Sequence, residues 1–181
     1  MSDPIIIVPY QDAWSEEFRQ IGSRIREALG DTAVRIDHIG STSVPGLAAK
    51  PVIDIQISVP SLDPLHTYKP GLEAIGFVHR AGNPDLTKRY FRETPGSRRT
   101  HIHVRERGSW PEQSALLFRD YLRQSPEDCE KYAETKLALM ALYQQERERY
   151  VEAKGPVVWE ILRRASQWSQ SVGWRPGASD L

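Results

Sequence analysis

A strongly alternating segment, residues 52–59, is the feature that most limits how this chain can fold. Every second residue from Ile53 to Val59 is β-branched and apolar, whereas Asp54 and Gln56 between them are polar. Side chains alternate between the two faces of a β-strand. The pattern therefore predicts a strand with one face in the core and a second, polar face that carries Asp54.

The rest of the chain carries shorter strand patterns and several helical ones. Apolar residues spaced three and four apart predict helices, and β-branched runs between turn residues predict strands. The predicted strands cover residues 34–39, 77–78, 88–93 and 100–106, after an extended arm at 5–8. The predicted helices lie between Asp12 and Gly30, at 62–75, at 114–123, from Ser125 onward, and after Gly155-Pro156.

Strand and helix patterns alternate in the first part of the chain, and helices gather in the last third. This order predicts an α/β (α+β) fold, a mixed β-sheet packed by helices with a helical C-terminal part. We expect one domain over residues 1–168, with late helices at about 112–168, and a loose tail at 169–181. Trp110, Trp159 and Trp168 are expected to pack in the core or between helices.

Composition limits the classes of partner. The chain has 24 basic and 24 acidic residues, so it lacks the basic excess typical of nucleic-acid-binding proteins. Cys129 is the only cysteine, which suits a reducing compartment. No run approaches the ~20 apolar residues of a membrane span. We therefore expect a cytoplasmic protein without nucleic-acid or membrane partners, whose oligomeric state the sequence leaves open.

A loop rich in Gly, Ser and Pro precedes the alternating strand and begins with Gly40-Ser41. Glycine lets a phosphate approach backbone N–H groups closely, and the serine hydroxyl adds a donor. Asp54 on the following strand can hold a Mg²⁺ ion that bridges nucleotide phosphates, and Lys50 can neutralise their charge. The alternative is an ordinary strand-ending loop and a carboxylate that pairs with a lysine.

The segment from His38 to Ile57 resembles the nucleotidyltransferase signature, and its residues from His38 through Ile55 are more narrowly similar to the GrpB family. The resemblance continues through residues 101–104, 118–123, 132–136 and 150–154. It implies a nucleotidyltransferase-like fold but no defined reaction. It also implies that Lys136 and Lys154 face the cleft as further cations.

Two positions depart from the superfamily pattern. The second acid is replaced by Gln56, whose amide oxygen is a weak metal ligand. The third acid is replaced by a histidine, since His101 and His103 share one face of the strand predicted at 100–106. Two interpretations stay open: His103 is a general base, or both histidines join Asp54 in a transition-metal site.

A basic region, residues 79–107, lies next to the proposed site in the sequence. Arg89 and Arg99 flank the two strands expected to line the site, and arginine suits bidentate phosphate contacts. We expect these two arginines to meet a triphosphate or an acidic substrate. The alternative is a solvated hairpin with scattered charge.

Three functions fit these patterns. The first is transfer of a nucleotidyl group from an NTP to a small acceptor, with Mg²⁺, or Mn²⁺ or another divalent metal, at Asp54. The second is non-catalytic binding of a nucleotide or phosphorylated metabolite. The third is metal-dependent hydrolysis at Asp54, His101 and His103. An accessory role in coenzyme A synthesis also follows by association, since relatives of the family occur fused to dephospho-CoA kinase.

Overall fold

A computed structural model describes residues 4–181 as a mixed β-sheet with helices packed on both faces. The strands are β1 (Arg35–Ile39), β2 (Ile53–Val59), β3 (Phe77–His79), β4 (Lys88–Glu93) and β5 (Thr100–Glu106). The helices are α1 (Ala13–Leu29), α2 (Lys69–Ala74), α3 (Trp110–Gln124), α4 (Pro126–Tyr143) and α5 (Arg147–Val172). This α/β architecture agrees with the fold class predicted from the sequence.

The strands lie in the order β1-β2-β5-β4-β3. β2 and β5 are parallel, and the other neighbours are antiparallel. In this arrangement β2 and β5 are the two strands that carry the polar site residues, and β1 lies at one edge of the sheet. The register pairs Asp54 with His101 and Gln56 with His103, so these four side chains share one face.

The opposite face of the sheet is the main core. The apolar stripe of α1, which includes Trp14, Phe18 and Ile25, is buried against it. Ile55 and Ile57 of β2 are fully buried there. The alternating apolar residues of β2 therefore stabilise the fold by removing their surface from water, as the period of two predicts.

The three late helices pack together beside the polar face. A second apolar cluster joins Leu122 of α3, Tyr132 of α4 and Ile161 of α5. Val44 and Leu47 belong to the same cluster. The loop between β1 and β2 is thus anchored to the helical part by its own apolar side chains.

Three local predictions were wrong. The helix expected at residues 62–75 is a short 3₁₀ turn, Leu65–Thr67, followed by α2. The last helix begins at Arg147 and runs through Pro156, which is exposed, so water can satisfy the carbonyl that loses its partner. Trp110 and Trp159 are 63% and 65% exposed rather than packed.

The final segment also differs from the expected loose tail. α5 continues to Val172 and ends at Gly173, which adopts the left-handed conformation common at helix ends. Residues 174–181 then return to the edge of β1, where Leu181 packs against the main core. Among the described helices, none is both long enough and apolar enough to span a membrane.

Candidate functional site

A cleft of about 260 Å³ opens beside the ends of β1 and β2. The loop after β1, the central strands, the N-terminal arm and helices α4 and α5 all contribute to its wall. Its lining includes Ile5, Ile7, Ser41, Thr42, Lys50, Val52, Asp54, His101, Lys136, Arg147, Tyr150, Val151 and Lys154. Ser41 and Asp54, which the sequence predicts to lie close together, are both in this wall.

Gly40 packs directly against the carboxylate of Asp54. Its φ of 71° and ψ of −175° belong to a region that is essentially restricted to glycine. A Cβ atom at this position would lie 2.8 Å from Asp54 Oδ2. Glycine is therefore required both for the turn and for the close approach of the loop to Asp54.

A chain of buried hydrogen bonds fixes the loop. The Thr42 hydroxyl donates to the carbonyl oxygen of Val52 at 3.1 Å, so it accepts from His38 Nε2 at 3.0 Å. The His38 ring also stacks on Phe18, with ring centroids 4.8 Å apart. Burial lowers the pKa of His38 to about 3, so the ring is neutral and acts as a fixed donor.

Asp54, His101 and His103 form a compact cluster. Asp54 Oδ1 lies 3.2 Å from His101 Nδ1 and 3.2 Å from His103 Nε2. Burial opposes the charge on Asp54, but the two histidines outweigh it and hold the pKa of the carboxyl below its ordinary value. Burial also lowers the pKa of His103, to about 4.

This cluster fits a divalent metal ion. One potential ligand atom from each residue lies within 4.8 Å of the other two. His101 Nε2 and His103 Nδ1 are buried without a hydrogen-bond partner among the described residues, which agrees with each ring carrying its proton toward Asp54. A metal ion held by the two nitrogens that face Asp54 would require both protons to move to these other ring nitrogens. Two imidazoles and one carboxylate are typical of transition-metal sites rather than of Mg²⁺, which prefers oxygen ligands.

Lys136 brings a buried amine to the floor of the cleft. Only 2% of the residue is exposed, and its Nζ donates to Ser41 Oγ at 3.0 Å and to the carbonyl oxygen of Ala48. The amine also lies 4.5 Å from the centre of the Tyr132 ring. Burial, with a smaller contribution from Lys154, lowers the pKa of Lys136 to about 7.

Three further basic residues line the cleft. Lys50 and Lys154 do so as the sequence analysis expects, and Lys154 Nζ lies 5.7 Å from the centre of the Tyr150 ring. Arg147 was missed, because sequence reasoning began the last helix at Gly155 rather than at Arg147. The three side chains give one side of the cleft a positive charge that suits an anionic ligand.

An apolar patch forms another part of the wall. Ile5 and Ile7 of the N-terminal arm are buried and cluster with Tyr150 of α5. A backbone bridge between Val8 and Ala49 attaches the arm to the loop that precedes β2. The sequence analysis predicted this arm but gave it no part in the site.

Gln56 lies on the predicted face but is not open to the cleft. It is fully buried, and its Oε1 accepts a hydrogen bond from Arg105 at 2.5 Å. Its Nε2 donates to the carbonyl oxygen of Glu112 at 3.2 Å. Because α3 covers this position, Gln56 is held as a structural amide rather than presented as a metal ligand.

Arg89 and Arg99 do not line the cleft. Arg89 pairs with Val104 in the sheet register, which places it on the face opposite His101 and His103. There it forms an ion pair with Asp63 at 3.0 Å. Arg99 lines a shallow groove beside the cleft, near the N-terminal arm.

The residues of β4 on the site's face are the ones next to Arg89 in the sequence. Tyr90 pairs with His103, and Lys88 and Arg92 lie on the same face. The Tyr90 ring lies 5.6 Å and 5.4 Å, centroid to centroid, from the rings of His101 and His103. The sequence alone did not determine which residues of β4 share this face, because basic residues occur at both odd and even positions of the strand.

Two relatives place the chain among known proteins. It is 41% identical over 167 residues to the UPF0157 protein PA4798 of Pseudomonas aeruginosa, covering 90% of this chain and 68% of that protein. It is 35% identical over 199 residues to a dephospho-CoA kinase of Mycobacterium tuberculosis, covering 96% of this chain. The match spans 49% of that kinase, so this chain corresponds to about half of it.

Two solved structures resemble the fold. The crystal structure of GrpB from Enterococcus faecalis matches with a TM-score of 0.78 and 30% identity, covering 88% of this chain and 98% of that one. Cid1, described as having RNA terminal uridylyl transferase activity, matches with a TM-score of 0.54 and 17% identity, over 77% of this chain and 44% of that one. The second likeness shows a nucleotidyltransferase-type fold. The GrpB family model matches residues 4–164, and this chain therefore belongs to the GrpB family.

Proposed function

We propose that the protein binds a nucleoside triphosphate with a divalent metal ion in this cleft and transfers a nucleotidyl group to a small acceptor. The observation that carries the proposal is the packing of Gly40 against Asp54, with a Cβ position only 2.8 Å from Oδ2. Because of this packing, the loop proposed to bind phosphate and the carboxylate proposed to bind the metal lie at the same wall of the cleft. The fold shared with nucleotidyltransferases supports the same interpretation.

Asp54, His101 and His103 are the residues that would hold the metal ion, which when bound neutralises charge on phosphate oxygens. The two imidazoles favour Mn²⁺ or another transition metal over Mg²⁺. This arrangement also favours His103 as a ligand over His103 as a general base, because its Nε2 already faces Asp54 and its Nδ1 is buried.

The basic residues of the cleft would bind the phosphates. Ser41 and Lys136 lie side by side and offer a hydroxyl and an ammonium group, and Lys50, Lys154 and Arg147 add charge around them. A two-metal nucleotidyltransferase uses a second ion for this purpose. Here, with a single carboxylate in the cluster, we propose that lysine and arginine charges take that part.

The protein's own residues would contribute to this reaction by holding the reacting groups in position. The acceptor's hydroxyl oxygen attacks the α-phosphorus, the bond to pyrophosphate breaks, and the hydroxyl proton passes to solvent. Fixed cations stabilise the charge that develops on the phosphate oxygens in such a step.

The test uses purified protein with each NTP labelled at the α-phosphate, Mn²⁺ or Mg²⁺, and a panel of small metabolites. We expect a labelled product and released pyrophosphate, reduced at least ~100-fold in Asp54→Asn because its charge is needed for metal binding. Asp63→Asn is the matched control, since Asp63 is 71% exposed and pairs with Arg89 on the other face. Absence of labelled product, or equal activity in Asp54→Asn, would contradict nucleotidyl transfer.

A second candidate, metal-dependent hydrolysis, is favoured by the cluster of Asp54, His101 and His103, of which Asp54 and His101 line the cleft. Release of labelled monophosphate without an acceptor would support it. Non-catalytic binding predicts thermal stabilisation by NTP and metal without turnover.

A further inference from the structure

The segment formed by residues 174–181 lies along the open edge of β1. Ser179 Oγ accepts a hydrogen bond from the amide of Ile36 at 2.8 Å, and Asp180 Oδ2 accepts from the amide of His38 at 2.9 Å. These two amides point outward from the edge strand, where an unpaired N–H would otherwise need another partner. The segment therefore completes the edge of the strand that leads into Gly40.

Several groups hold the segment in place. Leu181 packs against the main core over Gly22, where an added Cβ would lie 2.3 Å from Leu181 Cδ1. Arg26 donates to the main-chain oxygen of Leu181 at 2.8 Å, and Arg35 donates to the carbonyl oxygen of Gly177 at 2.7 Å. Apolar packing and hydrogen bonds therefore both hold residues 174–181 in this place.

Arg119 of α3 connects the segment to the loop of the cleft. The side chain is 4% exposed, and its Nη1 donates to Asp180 Oδ2 at 2.9 Å and to the carbonyl oxygen of His38 at 3.0 Å. One helical turn later, Arg123 donates to the carbonyl oxygen of Ser43 at 3.0 Å and 2.8 Å. The two arginines therefore bind the main chain on both sides of Gly40-Ser41.

Asp180 acts at both the strand and the arginine. One of its oxygens accepts from the His38 amide and from Arg119, while Asp120 binds Arg119 from the other side at 2.8 Å. A buried guanidinium keeps a single orientation only when its charge and its donors are matched. Removing Asp180 would take one carboxylate from Arg119, which Asp120 and the carbonyl oxygen of His38 would still bind, and would leave the His38 amide without its acceptor.

We propose that Asp180 is a positioning residue, which holds Arg119 and the end of β1 so that the Gly40-Ser41 loop keeps its anion-binding conformation. The segment lies beyond residues 4–164 that the family model matches, so that match assigns it no role. The predicted effect of Asp180 on anion affinity rests on the anion-binding part of the proposed function. Its predicted effect on the order of the loop is independent of that function.

The experiment compares Asp180→Ala, Asp180→Asn and, as a control, Asp31→Ala, which removes the same charge from an exposed position. Hydrogen exchange followed by mass spectrometry measures the order of the loop at residues 38–44 and of β5 at 100–106. Calorimetry with inorganic tripolyphosphate measures anion affinity, and calorimetry with Mn²⁺ alone measures the metal site.

We expect Asp180→Ala to raise exchange at residues 38–44 but not at 100–106, and to weaken tripolyphosphate binding roughly 3- to 30-fold with Mn²⁺ affinity unchanged. Asp180→Asn should lie between Ala and wild type, because its amide oxygen can still accept from the His38 amide. Unchanged loop exchange in Asp180→Ala, or an equal effect in Asp31→Ala, would overturn the proposal. Absence of tripolyphosphate binding by wild type would overturn anion binding, and the exchange data would still decide the positioning role.

Discussion

Two residues on one face of β2, Asp54 and Gln56, lie in opposite environments although they are only two positions apart. Asp54 lies in the cleft wall, next to Gly40 and two histidines. Gln56 is fully buried under α3, bound to Arg105 and to the backbone of Glu112. We call these regions the open half and the covered half of the polar face.

The covered half is a buried hydrogen-bond network. Ser58 Oγ donates to Glu112 Oε1 at 2.5 Å, and the amide of Gly108 donates to Glu112 Oε2 at 2.7 Å. Apart from Arg105 Nε, which has no hydrogen-bond partner among the described residues, these polar groups bond to one another and so fix the packing of α3 on the sheet. The difference teaches that alternation places a residue on a face, whereas the covering helix decides whether that residue can meet a ligand.

The largest effect is expected for Gly40→Ala in the open half. The new Cβ meets Asp54 and the backbone must leave a region that only glycine adopts, at a cost of about 3 kcal/mol or roughly 100-fold in ligand affinity. Calorimetry with Mn²⁺ and an NTP measures this loss. Gly82→Ala is the control, because a Cβ there meets no atom within 4 Å. If Gly40→Ala bound Mn²⁺ and the NTP with wild-type affinity, the assignment of the open half as the ligand site would be contradicted.

Lys136→Met tests the same half through pH. Binding of phosphate needs the protonated amine, so wild-type affinity should fall as pH rises through about 7, the lowered pKa of Lys136. We expect the variant to bind roughly 10-fold more weakly at pH 6, because a hydrogen bond to a charged group is lost, and to lose this pH dependence.

Stability should show the opposite trend. Above pH 7, and up to the ordinary lysine value of 10.5, the unfolded chain binds more protons at Lys136 than the folded chain does. The free energy of unfolding therefore rises with pH in this window for wild type and less so for Lys136→Met. Lys131→Met is the control, because Lys131 precedes Lys136 on the same helix and its side chain is 54% exposed. Parallel pH profiles for wild type and Lys136→Met would contradict the assignment.

Gln56→Glu tests the covered half by restoring an acid at the expected second position. One carboxylate oxygen would face Arg105, but the other would meet the carbonyl oxygen of Glu112, where Nε2 now donates. We expect the free energy of unfolding to fall by about 1–3 kcal/mol, with the metal stoichiometry unchanged. Denaturant unfolding and metal analysis measure both quantities. A second bound metal ion would show that the covered half can open.

The smallest effect is expected for Trp159→Ala, outside both halves. Trp159 is 65% exposed, so its truncation should change the free energy of unfolding by no more than about 0.5 kcal/mol. Thermal unfolding measures the change. A loss several times larger would mean that this side chain is covered in solution.

The sequence predicted the elements that depend on local pattern. Alternation in β2 identified the strand and the face of Asp54, and Gly40-Ser41 identified the loop beside it. Residues 88–93 and 100–106 were predicted as strands with the bounds that the structure has. These features follow from period, turn residues and motif, which are properties of short stretches of chain.

The sequence could not predict what depends on packing between distant segments. Arg89 was assigned to the site because the register of β4 against β5 was unknown, and that register puts it on the core face. Arg147 was missed because Pro156 suggested a helix start, although an exposed proline is tolerated inside α5. Asp180 was placed in a loose tail because nothing in residues 174–181 signals the edge of β1 as its partner.

The most direct test of the account is an anomalous diffraction map of crystals grown with Mn²⁺ and a non-hydrolysable NTP analogue. We predict one manganese peak about 2.0–2.3 Å from Asp54 Oδ1, His101 Nδ1 and His103 Nε2, with the phosphates against Ser41 and Lys136. Manganese bound elsewhere, or phosphates bound away from Ser41, would contradict the assignment of this cleft as a metal and nucleotide site.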